Sequence, residues 1–119
     1  MLTNLFHVAL GGAIGSALRY LSLLALPAPW GTLGINVLGS FLIGLLFVPA
    51  GRLGVSVLLL TGVLGGFTTF SAFALDAARL WTAGQVAQAA TYVAGSVILS
   101  LIAVAAGASL FHLLAARGA

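Results

Sequence analysis

The scarcity of charged side chains constrains this chain more than any other feature of its sequence. Its 119 residues include four arginines, one aspartate and no lysine, so that charged residues make up 4% and hydrophobic residues 62%. About a quarter of the residues in an ordinary soluble domain are charged. So few charges cannot form the polar shell of a soluble domain, and we predict an integral membrane protein embedded in the lipid bilayer.

The composition also excludes several classes of function. Cysteine is absent, which rules out disulfides and cysteine nucleophiles, and the absence of lysine rules out Schiff-base chemistry. Asp76 is the only acidic side chain, so one chain cannot supply a catalytic carboxylate pair. The arginines are scattered singly and form no patch for a nucleic-acid backbone. We therefore expect neither an enzyme nor a nucleic-acid partner, and no basic segment at the start suggests a signal peptide.

Apolar runs divide the chain into four segments, each about as long as a membrane-spanning helix. A bilayer core of about 30 Å requires roughly 20 apolar residues per helix. Pro27 and Pro29 end the first run, Pro49 falls at the end of the second, and the polar segment from Asp76 to Gly84 closes the third. The pattern predicts an all-α integral membrane fold, a single four-helix domain over 1–119, with spans at about 2–26, 30–48, 53–76 and 86–115.

The arginines give almost no bias to the orientation of these helices. Arg52 and Arg117 fall on the same side as the N-terminus, whereas Asp76 and Arg79 fall on the other side, with Arg19 toward it. Orientation normally follows an excess of Lys and Arg in the cytoplasmic loops. So balanced a distribution favours insertion in both orientations, and hence an antiparallel, dual-topology homodimer. A fixed orientation set by other features is the alternative.

Glycines are frequent, and one pair begins an unusual segment of the third span. The pairs Gly11/Gly15 and Gly62/Gly66 have the spacing that allows close helix packing in lipid. Gly65 and Gly66 differ, because two β-branched residues, Thr68 and Thr69, follow them closely and make the segment poorly suited to a helix. Such a segment predicts either a helix broken at the membrane midplane, where its backbone lines a cavity or binds an ion, or a tolerated kink.

Several side chains near these segments could interact with an ion. Phe70 and Phe73 share a helix face, and their ring edges could meet an anion, their ring faces a cation, or both could simply pack. Tyr92, Ser96 and Ser100 form a hydroxyl stripe on the fourth span. Hydroxyl groups in hydrocarbon must bond to something, either their own backbone or a solute.

Three further polar residues lie within or near the spans. Asn36 supplies an amide, with Thr32 one turn before it, and Arg19 is either embedded at depth or extends to the membrane surface. The set consists mostly of hydrogen-bond donors, and Asp76 falls at a predicted helix end, away from the membrane interior. An anion is therefore the better candidate solute, and the path would use two subunits.

These residues resemble the Fluc (CrcB-type) fluoride channels in all four spans. The stretches that carry the resemblance are Gly11–Tyr20, Gly31–Phe41, Gly62–Phe73 and the Tyr92/Ser96/Ser100 stripe. The run Gly-Gly-x-Thr-Thr-Phe-Ser-x-Phe in the third is highly specific, whereas the stripe alone is weak. The resemblance implies a fluoride-selective channel in the cell membrane, a multi-pass homodimer that lets fluoride leave the cell passively and so reduces its toxicity.

The resemblance also implies roles for individual residues. The fluoride pathway would contain Phe70, Phe73, Asn36, Ser71, Tyr92, Ser96, Ser100, Thr32 and Arg19. The carbonyls of Gly65 and Thr68 would bind a structural sodium ion at the dimer interface. Two positions depart from the family pattern: Ala72 stands where threonine is common, and Asp76 where a longer acidic residue is frequent.

Two other functions are compatible with a short four-helix membrane protein. A small dual-topology exporter of cations or drugs would need a membrane-embedded glutamate, and this chain has no glutamate. A membrane assembly subunit without a transport role would account for the glycine faces. It would give no reason for a donor stripe beside a phenylalanine pair.

Overall fold

The computed structural model describes residues 1–119, and all of its regular structure is helical. The elements are α1 (Leu2–Ala25), α2 (Trp30–Arg52), a π-helix (Val57–Leu64), α3 (Gly65–Phe67), α4 (Phe70–Thr82) and α5 (Val86–Gly118). Four stretches are long and apolar enough to cross a membrane: α1, α2, α5 and the stretch Val57–Thr82, called here the third stretch. The prediction of an all-helical protein with four membrane spans is confirmed.

Three stretches run beyond the bounds expected from the sequence, and α5 does so by one turn, to Gly118. α2 continues through Pro49 to Arg52, because a proline in the last turn of a helix removes only one hydrogen bond. The third stretch continues through Asp76 to Thr82, since one aspartate costs a helix well under about 1 kcal/mol. Asp76 therefore lies inside α4 and not at a helix end, so the expectation that it marks the end of the third span is wrong.

Glycines allow the helices to pack in two close pairs. α1 packs mainly against the π-helix and α3, and α2 packs mainly against α5. A methyl group added to Gly11 would lie 2.5 Å from the Leu58 carbonyl oxygen, and one added to Gly107 would lie 2.9 Å from the Leu45 nitrogen. Real side chains do not approach so closely, so the backbones at these crossings are as near as glycine permits.

The third stretch changes its packing partner along its length. Its first part contacts α1, whereas α4 contacts α5 and, to a smaller extent, α2. The change occurs across Thr68 and Thr69, which lie between α3 and α4. These two threonines therefore lie where the two helix pairs meet, and side chains from both pairs can reach them.

Candidate functional site

Thr68 and Thr69 separate α3 from α4 with extended backbone. Their φ and ψ angles are −81° and 157° for Thr68, and −154° and 118° for Thr69. β-branched residues adopt this conformation readily, because it relieves the crowding that they meet in a helix. Two successive extended residues interrupt the ladder of backbone hydrogen bonds, so their polar groups need other partners.

Asn36 from α2 supplies partners for Thr69. Its Oδ1 accepts a hydrogen bond from the Thr69 N–H at 2.8 Å, and its Nδ2 donates to the Thr69 carbonyl at 2.9 Å. The amide therefore pairs with Thr69 as a neighbouring strand would. One Nδ2 proton is left for another acceptor, since a primary amide carries two.

The side chain of Thr69 begins the next helix. Its Oγ1 accepts a hydrogen bond from the Ala72 N–H at 3.1 Å, which is the bond expected of a helix N-cap. The Ser71 hydroxyl lies 3.2 Å from the same oxygen. Ser71, which the resemblance assigned to the pathway, is exposed on this chain and interacts with the cap.

Arg19 from α1 reaches the neighbouring residue, Thr68. Its Nη1 donates a hydrogen bond of 3.2 Å to the Thr68 carbonyl in a partly buried position. The sequence left open whether this guanidinium is embedded or extends to the membrane surface. It is bonded to the backbone between α3 and α4, and it stands beside one of the two carbonyls that the resemblance assigned to sodium.

Four aromatic rings form a continuous row beside this segment. The ring centroids of Phe70 and Phe73 are 5.2 Å apart, those of Phe73 and Tyr92 are 5.5 Å apart, and those of Tyr92 and Trp30 are 5.9 Å apart. Phe70 is 78% exposed on this chain, whereas Phe73 and Tyr92 are buried. The row thus runs from the surface of the chain at Phe70 through its interior to Trp30, which is 42% exposed.

The polar groups near Tyr92 differ in their hydrogen bonding. The Tyr92 hydroxyl donates to Oδ2 of Asp76 at 3.2 Å. The Thr32 and Ser96 hydroxyls are buried and have no hydrogen-bond partner in the chain. A buried hydroxyl without a partner costs free energy of about 1–3 kcal/mol, so the Ser96 oxygen, which lines a cavity, is a site where a bound solute would restore a lost bond.

Asp76 lies inside α4, a position that the sequence pattern did not predict. Its side chain is only 6% exposed and faces the interior of the bundle. The sequence did contain a signal, because Asp76 follows Phe73 by three residues and shares its helix face. The chain therefore holds a carboxylate that is buried against its own helices, beside a second cavity lined by Ala28, Pro29 and Gln85.

A cavity of about 400 Å³ brings most of these residues together. Seven of the eleven residues predicted from the sequence line it, and they come from α2, from the third stretch and from α5: Asn36, Gly65, Thr68, Phe70, Phe73, Ser96 and Ser100. Arg19, Thr32, Ser71 and Tyr92 do not line it. Arg19 and Ser71 contact lining residues, Thr68 and Thr69, whereas Tyr92 contacts Asp76, and Thr32 lies beside Tyr92. The cavity thus combines a phenylalanine pair, an amide and the unpaired hydroxyl of Ser96.

A four-span helical membrane protein, with a cavity that combines polar and aromatic side chains beside an extended segment, is the class defined by this fold and site. The sequence model of the family described as "CrcB-like protein, Camphor Resistance (CrcB)" matches residues 6–108. The chain belongs to this family and is a multi-pass cell-membrane protein.

Curated relatives resemble the chain over nearly its whole length. A protein of Paracoccus denitrificans is 53% identical over 109 residues, which cover 85% of this chain and 88% of the relative. One from Agrobacterium fabrum is 51% identical over 118 residues (90% and 94%), and one from Rhizobium meliloti is 50% identical over 123 residues (93% and 98%). Each of the three is named "Fluoride-specific ion channel FluC".

Proposed function

We propose that this protein is a fluoride channel that lets fluoride leave the cell passively and so lowers its toxicity. Hydrogen fluoride would enter the cell from an acidic medium and dissociate in the more neutral cytoplasm, and the trapped anion would leave through the channel, driven by the membrane potential. The observation that carries the proposal is the buried Ser96 hydroxyl, which has no partner and lies in the same cavity as Phe70 and Phe73. Relatives that align with this chain over most of their length are named fluoride-specific ion channels, which supports the same anion.

The chemistry of the cavity suits a small, strongly hydrated anion. Hydroxyl and amide donors can replace the water lost on entry, and several weak sites in succession allow release. The edges of phenylalanine rings carry partial positive charge and add a weaker attraction. Asn36, with one free Nδ2 proton, Ser96 and Ser100 would act as donors, and Phe70 and Phe73 would flank the ion.

We further propose that two copies form the pathway as an antiparallel, dual-topology homodimer. Phe70 would be exposed to lipid in a single chain, and the polar groups of the cavity beside it, such as Ser96 and Ser100, would face hydrocarbon. Polar groups exposed to lipid are costly, so a second copy that covers this face would stabilise both chains. The third stretch would then be broken near the membrane midplane, with its extended residues lining the shared path.

The proposed cofactor is a structural sodium ion bound by the carbonyls of Gly65 and Thr68 from each copy. The hydrogen bonds of this segment fit such a role. The Thr69 N–H, which would bond the Gly65 carbonyl in a helix, is donated to Asn36. The Ala72 N–H, which would bond the Thr68 carbonyl, is donated to Thr69 Oγ1. Both carbonyls therefore lack their helical partners, and oxygen ligands of this kind suit a hard cation.

Efflux from proteoliposomes tests the proposed function directly. Vesicles with purified protein are loaded with fluoride or with chloride, and release is followed with ion-selective electrodes after a potassium ionophore clamps the membrane potential. Fluoride should be released and chloride retained. Ser96→Ala should slow release, whereas Ser109→Ala, at an exposed position of the same helix, should not. Vesicles that retain their fluoride, or release both anions equally, would rule the function out.

A further inference from the structure

The guanidinium of Arg19 holds the backbone segment that carries the proposed sodium ligands. Its hydrogen bond of 3.2 Å to the Thr68 carbonyl joins α1 to the residue between α3 and α4. The charge is permanent, because an arginine side chain does not lose its proton in a protein. A full positive charge therefore lies next to the Thr68 oxygen at any pH.

The local hydrogen bonds explain why Thr68 can accept from a side chain. In a continuous helix its carbonyl would accept from the N–H of Ala72, four residues on. That N–H is donated to Thr69 Oγ1 instead, so the carbonyl is free of its helical partner. Arg19 supplies the missing donor, and the segment keeps this carbonyl satisfied within a single chain.

The same oxygen is one of the atoms proposed to bind sodium. A carbonyl oxygen has two lone pairs, so it can accept from Arg19 and coordinate a cation at once. The two positive charges would then lie a few ångströms apart in a poorly hydrated site, where their repulsion is much stronger than in water. Arg19 and sodium therefore compete electrostatically even where geometry allows both.

We infer that Arg19 is a positioning residue that holds the Thr68 carbonyl and, through its charge, sets the sodium affinity of the site. The inference rests on the proposed role of sodium. Without sodium, Arg19 keeps the carbonyl hydrogen-bonded and the extended segment in place. With sodium, its charge raises the concentration of the ion at which the site fills. Arg19 therefore acts on the cation site, in addition to any attraction of the anion.

Sodium titration of the thermal unfolding midpoint in detergent tests this inference without measuring transport. Sodium chloride replaces N-methyl-D-glucamine chloride at constant ionic strength, and the sodium concentration for half-maximal stabilisation is recorded. For Arg19→Gln, which keeps N–H donors but removes the charge, this concentration should fall at least about tenfold. Arg19→Lys keeps the charge and should stay within about threefold of the unsubstituted protein, because the repulsion remains.

A matched control and a second variant keep the test decisive. Arg79→Gln makes the same charge change on α4, ten residues beyond Thr69 and so roughly 15 Å along the helix, and should not shift the sodium titration. Arg19→Met also removes the charge, and it decides the outcome if the glutamine variant fails to fold.

An unchanged or higher sodium requirement in the uncharged variants would overturn the inference, as would the same shift in Arg79→Gln. So would the absence of any sodium effect in every variant. Fluoride release by the unsubstituted protein is measured separately, so failure of the channel function remains distinguishable from failure of the Arg19 role.

Discussion

Asn36 holds both backbone polar groups of Thr69, accepting from its N–H at 2.8 Å and donating to its carbonyl at 2.9 Å. Within a membrane no water is available to replace either bond. One amide side chain on α2 thus allows an extended residue to persist in a helical protein. It also fixes the start of α4, which follows directly and carries the phenylalanine pair.

Replacing Asn36 with leucine should destabilise the protein markedly. Leucine fills a similar volume but leaves the N–H and the carbonyl of Thr69 without partners, at a cost of about 1–3 kcal/mol for each group. Chemical or thermal unfolding in detergent measures the loss. Asn4→Leu is the matched control, since Asn4 is exposed in the first turn of α1. Equal effects of the two substitutions would contradict the role assigned to Asn36.

Replacing Phe73 with isoleucine should preserve the fold and block fluoride release. The substitution roughly keeps the buried volume but removes the ring edge beside Phe70 and Tyr92. Loss of an aromatic contact of about 1.4 kcal/mol corresponds to a tenfold change in rate, so we expect at least about a tenfold slower efflux. Phe47→Ile, at an exposed site on α2, serves as the control. Unchanged release in Phe73→Ile would show that the rings only pack.

Because Asp76 is buried, its side chain must be tested for a part in proton-coupled transport. A buried carboxylate is the group that a proton-coupled exporter would need, and here it accepts a hydrogen bond from Tyr92. Asp76→Asn keeps the size of the side chain and an acceptor for this bond, so fluoride release should stay within about fivefold, the equivalent of roughly 1 kcal/mol. Abolished transport, or transport that the protein drives with a proton gradient, would favour the exporter.

The fold was easier to predict from the sequence than the contacts of the site. Long uncharged apolar runs predict membrane helices, so the four spans followed from the composition and from the prolines and polar residues that end each run. The segment around Thr68 was singled out by its glycines and threonines. Its stabilisation by Arg19 and Asn36 could not be predicted, because those partners lie 49 and 33 residues away in the chain. The pairing of Asp76 with Tyr92 depends likewise on how α4 packs against α5.

Single cysteines can test the proposed dual topology, because the chain contains no cysteine of its own. Leu53→Cys and Gln85→Cys place a thiol in loops at opposite ends of the bundle, both exposed. If the chain inserts in both orientations, a membrane-impermeant maleimide applied to intact cells should label about half of each variant. Nearly complete labelling of one variant and none of the other would establish a single orientation and exclude the antiparallel dimer.

The close approach of α1 to the third stretch should make Gly15 intolerant of any side chain. An added methyl group would collide with the Val63 carbonyl oxygen and lie 2.8 Å from the Phe67 nitrogen. Relief would require α1 to move away from α3, and with it the Arg19 guanidinium that is bonded to Thr68. Gly15→Ala should therefore cost about 1–3 kcal/mol of stability and slow fluoride release.

Gly12→Ala is the control, because a methyl group at this position meets no atom within 4 Å. The substitution also replaces a conformationally flexible glycine within a helix, which by itself should not destabilise the protein. Stability in detergent and efflux from vesicles should separate the two variants, and equal behaviour would mean that the two helices are not held at this distance.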